Sequence, residues 1–299
     1  MKNKKSIIFI LITALCFGSM EISLKLGGND LSALQLTFLR FLIGGLVLLP
    51  FAVFDAKKKQ IKLTRGDFGY LTLIGLVGVC LSMTCFQIGV MSSNANTAAV
   101  IISSNPVFVM VFSYFIVNEA FTKRKALVLV LSLIGLVLVA NPMNMAEGNT
   151  AKGLIYTAVA AVTFALYTTL GKLRIGKLGG FVQNSGSFLI ASIVEFVILV
   201  IRGDSVAAGI NAHSLPVVLY CGIVVTGIGY FSYLKAVELD GPSNASIAFF
   251  IKPIIAVTLA AIILHEPITW NIALGVSLII TGPIINMTTG KSLKKQKTE

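Results

Sequence analysis

"NPVFVMVFSYFIVNEAFTKRKALVLVLSLIGLVLV" spans residues 105–139, and "KPIIAVTLAAIILHEPITWNIALGVSLIITG" spans residues 252–282. Set 147 positions apart without a gap, the two runs align: Pro106, Glu119, Thr122, Ala126, Leu127, Leu131 and Gly135 recur as Pro253, Glu266, Thr269, Ala273, Leu274, Leu278 and Gly282. Each run is an apolar stretch, a short polar break around the glutamate, and a second apolar stretch. Stretches of this length read as bilayer-spanning helices. Working outward, the same shift pairs Phe17 with Phe164, Lys25 with Lys172, Gly75 with Gly222, and FLI at 41–43 with FLI at 188–190. The whole chain is thus read as two copies, residues 1–146 and 147–299, the second ending in a short basic tail.

Composition agrees with a membrane protein. Hydrophobic residues make up 56% of the 299 and charged residues only 12%, whereas a soluble domain carries about 25% charge. A soluble helical protein would need charged outer faces, and the apolar stretches lack them. We read ten spans, at 6–27, 31–54, 67–90, 94–117, 122–141, 152–173, 178–201, 214–237, 242–264 and 268–288. Residues 1–17 resemble a cleavable leader, but they belong to the repeat and are read as a retained first span. Five spans per copy is an odd number, so the second copy enters the membrane from the opposite side. The predicted fold is all-α and integral to the membrane, ten transmembrane helices in two inverted five-helix repeats, as in many secondary transporters.

The net charge of +12 does not indicate nucleic acid, because its distribution is topological. Lys2, Lys4, Lys5, Lys57, Lys58, Lys59, Lys62, Arg65, Lys123, Arg124, Lys125, Lys172, Arg174, Lys177, Lys235 and the tail lysines fall on one side of a ten-span chain. The other side receives Lys25, Lys152 and Arg202. The positive-inside rule places both termini in the cytoplasm, and the location expected is the bacterial plasma membrane. Cys16, Cys80, Cys85 and Cys221 lie inside spans and are read as small apolar fillers.

The segments "FGSMEISLK" (17–25) and "LTFLRFLIGGLVLL" (36–49), with the two runs quoted above, resemble the EamA type of the drug/metabolite transporter superfamily. The resemblance covers nearly the whole chain, with one departure: Phe17 stands where the family often has tryptophan before the glycine of span one. It implies a secondary transporter of small metabolites, amino acids, sugars and nucleotide derivatives being substrates within the superfamily. Its smaller four-span relatives use a glutamate in span one for proton exchange, which makes Glu21 a candidate for a coupling proton. Arg40, in the "LR" of span two, looks like a general family feature.

Glu21, Arg40, Glu195 and Lys252 are the charges placed at membrane depth. A basic side chain there costs about 2.5–3.5 kcal/mol on insertion scales, so each is expected to face a partner or a cavity. Helical stripes carry them inward: Ala14, Gly18, Glu21, Lys25; Asn244, Ala248, Lys252, Ala256; Asn94, Ala98, Ile101, Asn105; Asn184, Phe188, Ala191, Glu195; and Tyr156, Ala160, Thr163, Tyr167. Spans three and eight add Cys80, Thr84 and Gln87, then Thr226, Tyr230 and Tyr233. Glu21 and Lys25 stand four apart with the acid first, the spacing of a helix-surface pair. The candidate substrate-binding set is Lys252, Asn105, Glu21, Arg40, Gln87, Tyr167, Glu195, Tyr230 and Tyr233, with Pro106 and Pro253 as helix breaks.

Two readings of Lys252 stand at this point: it binds an anionic group of the substrate, or it pairs with Glu195. Arg40 either braces the fold, through Glu21 or backbone carbonyls, or contacts substrate. Glu119 and Glu266 are read as satisfying helix ends. The function expected is secondary transport, read as export, of small anionic or zwitterionic metabolites by alternating access around a midplane cavity. The alternatives are an intramembrane enzyme, for which no HExxH, Walker A or paired histidines are found, and a channel or scramblase. No cofactor or structural metal is indicated.

Overall fold

The computed structural model describes residues 4–27, 30–120, 122–141 and 148–281. Among these every regular element is helical. Seven helices are long and apolar enough to cross a bilayer: Lys5–Leu26, Ala33–Lys58, Arg65–Met91, Ala95–Ile116, Ala151–Ile201, Ser214–Asp240 and Pro242–Ile263. Val130–Val139, inside the Lys123–Ala140 helix, and Trp270–Thr281 are shorter apolar stretches.

The boundaries differ from the ten spans expected. Spans six and seven appear as one run, Ala151–Ile201, of 51 residues, interrupted at Gly179 with φ 74° and ψ 161°. An unbroken helix of that length would reach about 75 Å, against a hydrocarbon core of about 30 Å. The positive φ at Gly179 turns the chain, a conformation that costs glycine nothing. The expected tenth span continues past residue 281, outside the described residues, as does the basic tail.

Exposed large apolar side chains, among them Leu15, Phe54, Phe115, Ile193 and Ile262, cover the outside of the bundle, and the interior is a hydrophobic core with buried polar side chains set into it. This is the arrangement a lipid solvent selects. Arg65–Met91 and Ser214–Asp240 each widen to π-helical turns in their middle, over Leu76–Met83 and Tyr220–Gly229. These two segments overlap at the repeat shift. Glycines let them approach their neighbours: a Cβ on Gly75 would lie 2.6 Å from the Ser187 carbonyl oxygen, and one on its mate Gly222 would lie 2.6 Å from Ile43.

Hydrogen bonds repeat with the same period. Lys25 Nζ donates to the Val90 carbonyl at 3.4 Å, and Lys172 Nζ to the Val237 carbonyl at 3.0 Å. Asn118 and His265 hold φ of 54° and 55°, each just before the repeated glutamate. Glu266 accepts from the Ala95 and Asn96 backbone N–H groups at 2.7 and 2.9 Å, while Glu119 accepts from Ser243 Oγ. Glu266 satisfies a helix end, as read, while Glu119 takes the hydroxyl of Ser243 in the Pro242–Ala245 helix; in each case the partner belongs to the other copy.

Some of the polar inter-segment contacts form two sets. One joins Asp67 with Arg174 and Lys177, Lys172 with Val237 and Glu238, and Glu119 with Ser243. The other joins Lys25 with Ser93, Gln35 with Val206 and Ala208, Asp30 with His213, and Glu266 with Ala95. Lys25 is thus committed to backbone carbonyls, which corrects the expected Glu21–Lys25 pair: four-residue spacing permits the contact, but the end of the Thr84–Met91 helix offers Lys25 unsatisfied carbonyls.

Candidate functional site

The first span, Lys5–Leu26, carries one irregular residue, Ser19, between Lys4–Gly18 and Met20–Gly27, and i→i−4 backbone bonds continue through it. The Ser19 hydroxyl donates to the Leu15 and Cys16 carbonyls and lies 2.7 Å from the Tyr220 hydroxyl. Glu21 lies two residues beyond this junction. Beside the junction, a Cβ on Gly18 would lie 2.7 Å from Ile255. This bare glycine lets the Ala248–Ile263 helix close on the first span and brings Lys252 opposite Glu21. Lys252 Nζ donates to Glu21 Oε1, and both side chains are wholly buried. The Lys252–Glu195 alternative is thereby corrected. Lys252 also lies 5.3 Å from the Phe86 ring centroid and 5.7 Å from that of Phe249.

The prolines behave differently from each other. Pro106 opens the Asn105–Ile116 helix, directly after a break at Ser103–Ser104. Pro253 lies inside the Ala248–Ile263 helix, and the interruption falls earlier, at Ser246–Ile247. The expected break at Pro253 is corrected accordingly. As the sixth residue of that helix it forfeits the bond to the Phe249 carbonyl and its ring crowds the same carbonyl.

Arg40 is fully buried in Ala33–Lys58, over the Phe41 ring at 4.8 Å, with Nη1 donating to Met20 Sδ at 3.5 Å. It bonds neither Glu21 nor a backbone carbonyl, so neither predicted brace is present. Glu195 accepts from Thr84 Oγ1 at 3.0 Å. Asn105 Nδ2 donates to the Ala161 carbonyl at 3.0 Å, Tyr167 OH to Asn184 Oδ1 at 3.3 Å, and Tyr233 OH to Thr168 Oγ1 at 3.1 Å. Every member of the candidate set is at most 2% exposed, so all nine turn inward. Among the described residues Gln87 bonds nothing through its amide, and Glu21 Oε2, Arg40 Nε and Nη2, Asn105 Oδ1, Asn184 Nδ2, Glu195 Oε2 and Thr226 Oγ1 are likewise buried without a partner. Unpaired buried polar atoms are costly and rare; several of them lie on the candidate residues, and others, such as Ser6, Ser113 and Ser132 Oγ, lie elsewhere.

Sequence reasoning overlooked the aromatic cluster against which this polar group rests. Phe17 packs on Tyr230 at 4.9 Å and on Phe249 at 5.8 Å; Phe164 packs on Tyr230 and Tyr233, each at 5.8 Å; Phe41 and Phe188 stand edge to face at 4.8 Å. The signal was present, since Phe17/Phe164 and Phe41/Phe188 are pairs at the repeat shift. The charges do not repeat: Glu21, Arg40, Glu195 and Lys252 correspond to Thr168, Ser187, Leu48 and Asn105.

The EamA-like transporter family matches residues 4–141 and again residues 151–288. The chain belongs to that family. This EamA-like chain is 39% identical over 98% of its length to an uncharacterized transporter of Clostridium kluyveri, of which the match covers 96%. It is 25% identical to an uncharacterized transporter of Archaeoglobus fulgidus, over 93% of this chain and 97% of that one. An S-adenosylmethionine uptake transporter of Rickettsia bellii is 28% identical over 56% of each chain. A solved crystal structure superposes with a TM-score of 0.74 at 15% identity, covering 98% of this chain and 99% of that one, which is a likeness of fold. The EamA-like protein is therefore an integral membrane protein and a transporter by family. Its two family copies divide the residues of the site, Glu21, Arg40, Gln87 and Asn105 coming from the first and Tyr167, Glu195, Tyr230, Tyr233 and Lys252 from the second.

Proposed function

We propose that this protein is a secondary transporter that exports small metabolites, amino acids among them, by alternating access about the central polar cluster. One observation carries the reading. Buried polar atoms on Glu21, Arg40, Gln87, Glu195 and Thr226 have no partner among the described residues, and the price of that desolvation is met when a polar solute supplies the missing bonds. Lys252 and Glu21 satisfy each other while no solute is bound, and each becomes available once the other is taken by substrate or, at Glu21, by a coupling proton. Gln87, Asn105, Tyr167, Tyr230 and Tyr233 shape the remaining wall.

The architecture in this reading is two inverted five-helix repeats, residues 1–146 and 147–299, in the bacterial plasma membrane with both termini cytoplasmic. It is supported by the two family copies, by the gathering of contacts into two sets, and by the basic residues of one set, Arg174 and Lys177 on Asp67. The substrate class draws support from the relative named for uptake of S-adenosylmethionine, which carries an amino-acid head group. That name specifies uptake, so direction is part of the test.

Proteoliposomes preloaded with unlabelled amino acids and given labelled ones outside decide the reading. Saturable flux accelerated by solute on the far side is the result expected. Flux that never saturates would indicate a channel, and a chemically altered product would indicate an enzyme. With an imposed pH gradient, Glu21→Gln is expected to lose pH-driven flux and to keep solute exchange.

A further inference from the structure

We infer that Arg40 is a preformed carboxylate-binding fork, and that it, rather than Lys252, anchors the anionic group of the transported solute; the inference rests on the transport reading above. The first argument is the edge that Arg40 leaves open. Its Nη1 is spent on Met20 Sδ, a weak acceptor, at 3.5 Å. Nε and Nη2 are buried without a partner. Those two N–H groups lie on one side of the planar guanidinium, spaced to meet both oxygens of a carboxylate at once.

The second argument is that neither buried acid occupies the fork. Glu21 is engaged by Lys252. Glu195 stands level with Arg40, because the helices around residues 40 and 190 run antiparallel in register: Ser185 Oγ donates to the Gly45 carbonyl at 2.9 Å, Phe41 meets Phe188 at 4.8 Å and Phe38 meets Phe196 at 6.0 Å. Yet Glu195 Oε1 takes Thr84, and Oε2 receives no donor. Packing rather than ion pairing holds the guanidinium, which lies over Phe41 while Phe41 is wedged against Tyr230 at 5.5 Å. A fork held in this way has its orientation set by its neighbours rather than by a ligand, the preorganisation that favours binding. Lys252 would first have to release Glu21 and leave that acid buried and unpaired; Arg40 has nothing to release.

The third argument concerns the charge of the ligand. Glu21 and Glu195 flank Arg40 and Lys252, so the four buried charges sum to zero when all are ionised. A phosphate would bring nearly two further negative charges into this dry setting, and a carboxylate only one. One turn beyond Arg40, Gly44 meets the Thr226 methyl, 2.6 Å from where a Cβ would stand, so Thr226, whose hydroxyl is buried without a partner among the described residues, packs on the same helix.

The test measures thermal stabilisation of the purified full-length protein by a panel of 2-amino and 2-hydroxy acids, each paired with its carboxamide, and by inorganic phosphate. Wild-type protein should be stabilised by at least one acid and not by the matching amide or by phosphate. Arg40→Lys keeps the buried charge and removes the fork. Affinity for that acid should fall about tenfold to a hundredfold, with the acid-over-amide preference lost. The proposal is overturned if the preference survives Arg40→Lys, if phosphate or amides stabilise the wild type as well as acids do, or if no acid does. Should Arg40→Lys not fold, the wild-type panel and the Glu21→Gln/Lys252→Met double variant decide, since loss of the preference in that double variant would make Lys252 the anchor. Transport is judged separately. Saturable flux of a neutral or cationic solute, unchanged in Arg40→Lys, removes the fork and leaves the transporter; absence of saturable flux for every solute removes the transporter.

Discussion

Lys252 donates to Glu21 across 231 positions of sequence, and neither side chain reaches solvent or lipid. An isolated lysine or glutamate at that depth would be an uncompensated buried charge. Glu21→Gln and Lys252→Met should each lower the unfolding free energy by about 3–5 kcal/mol, and the double variant should recover most of the loss. Thermal or denaturant unfolding in detergent measures it. Singles as stable as the wild type would mean that the pair does not hold the two helices together.

Glu266 holds a helix start across the boundary between copies. Glu266→Ala removes two charge-assisted bonds to the Ala95 and Asn96 backbone, a loss of about 1–2 kcal/mol. Hydrogen exchange should quicken at residues 95–98 and remain unchanged in the distant helix 33–58. Uniform acceleration, or none, would argue against local capping.

Gly44 is where Ala33–Lys58 meets the π-helical Tyr220–Gly229 segment, with Thr226 2.6 Å and the Gly222 carbonyl 3.1 Å from where a Cβ would stand. Gly44→Val therefore overpacks the contact and should cost about 1–3 kcal/mol. Gly69, inside the Arg65–Gly75 helix with nothing within 4 Å of its Cβ position, is the contrasting site: Gly69→Ala should stabilise the fold by about 0.5–1 kcal/mol.

Sidedness is tested by single cysteines. Ser205 belongs with the contact set around Asp30 and His213, and Lys58 with the set around Asp67, and both residues are exposed. An impermeant thiol reagent added to intact cells should label Ser205→Cys, while Lys58→Cys should react only after the membrane is permeabilised. Labelling of both from the same side would end the inverted ten-span reading.

Hydropathy, the repeat and the asymmetry of lysine and arginine are sums over the chain, so the sequence by itself determined the membrane setting, the two copies and the inward stripes. The nine candidate residues were legible because a charge or amide at membrane depth has few places to go. What only the tertiary structure decided was partnership. Lys252 meets Glu21 and not Glu195 because Gly18 lets the Ala248–Ile263 helix close on the first span. Lys25 turns from Glu21, four residues away, to the Val90 and Ser93 carbonyls because a helix happens to end beside it. Helical spacing states which side chains share a face. Which face meets which is settled by the packing of several helices at once, where small residues set the distance of approach and unsatisfied backbone groups compete for the same cations.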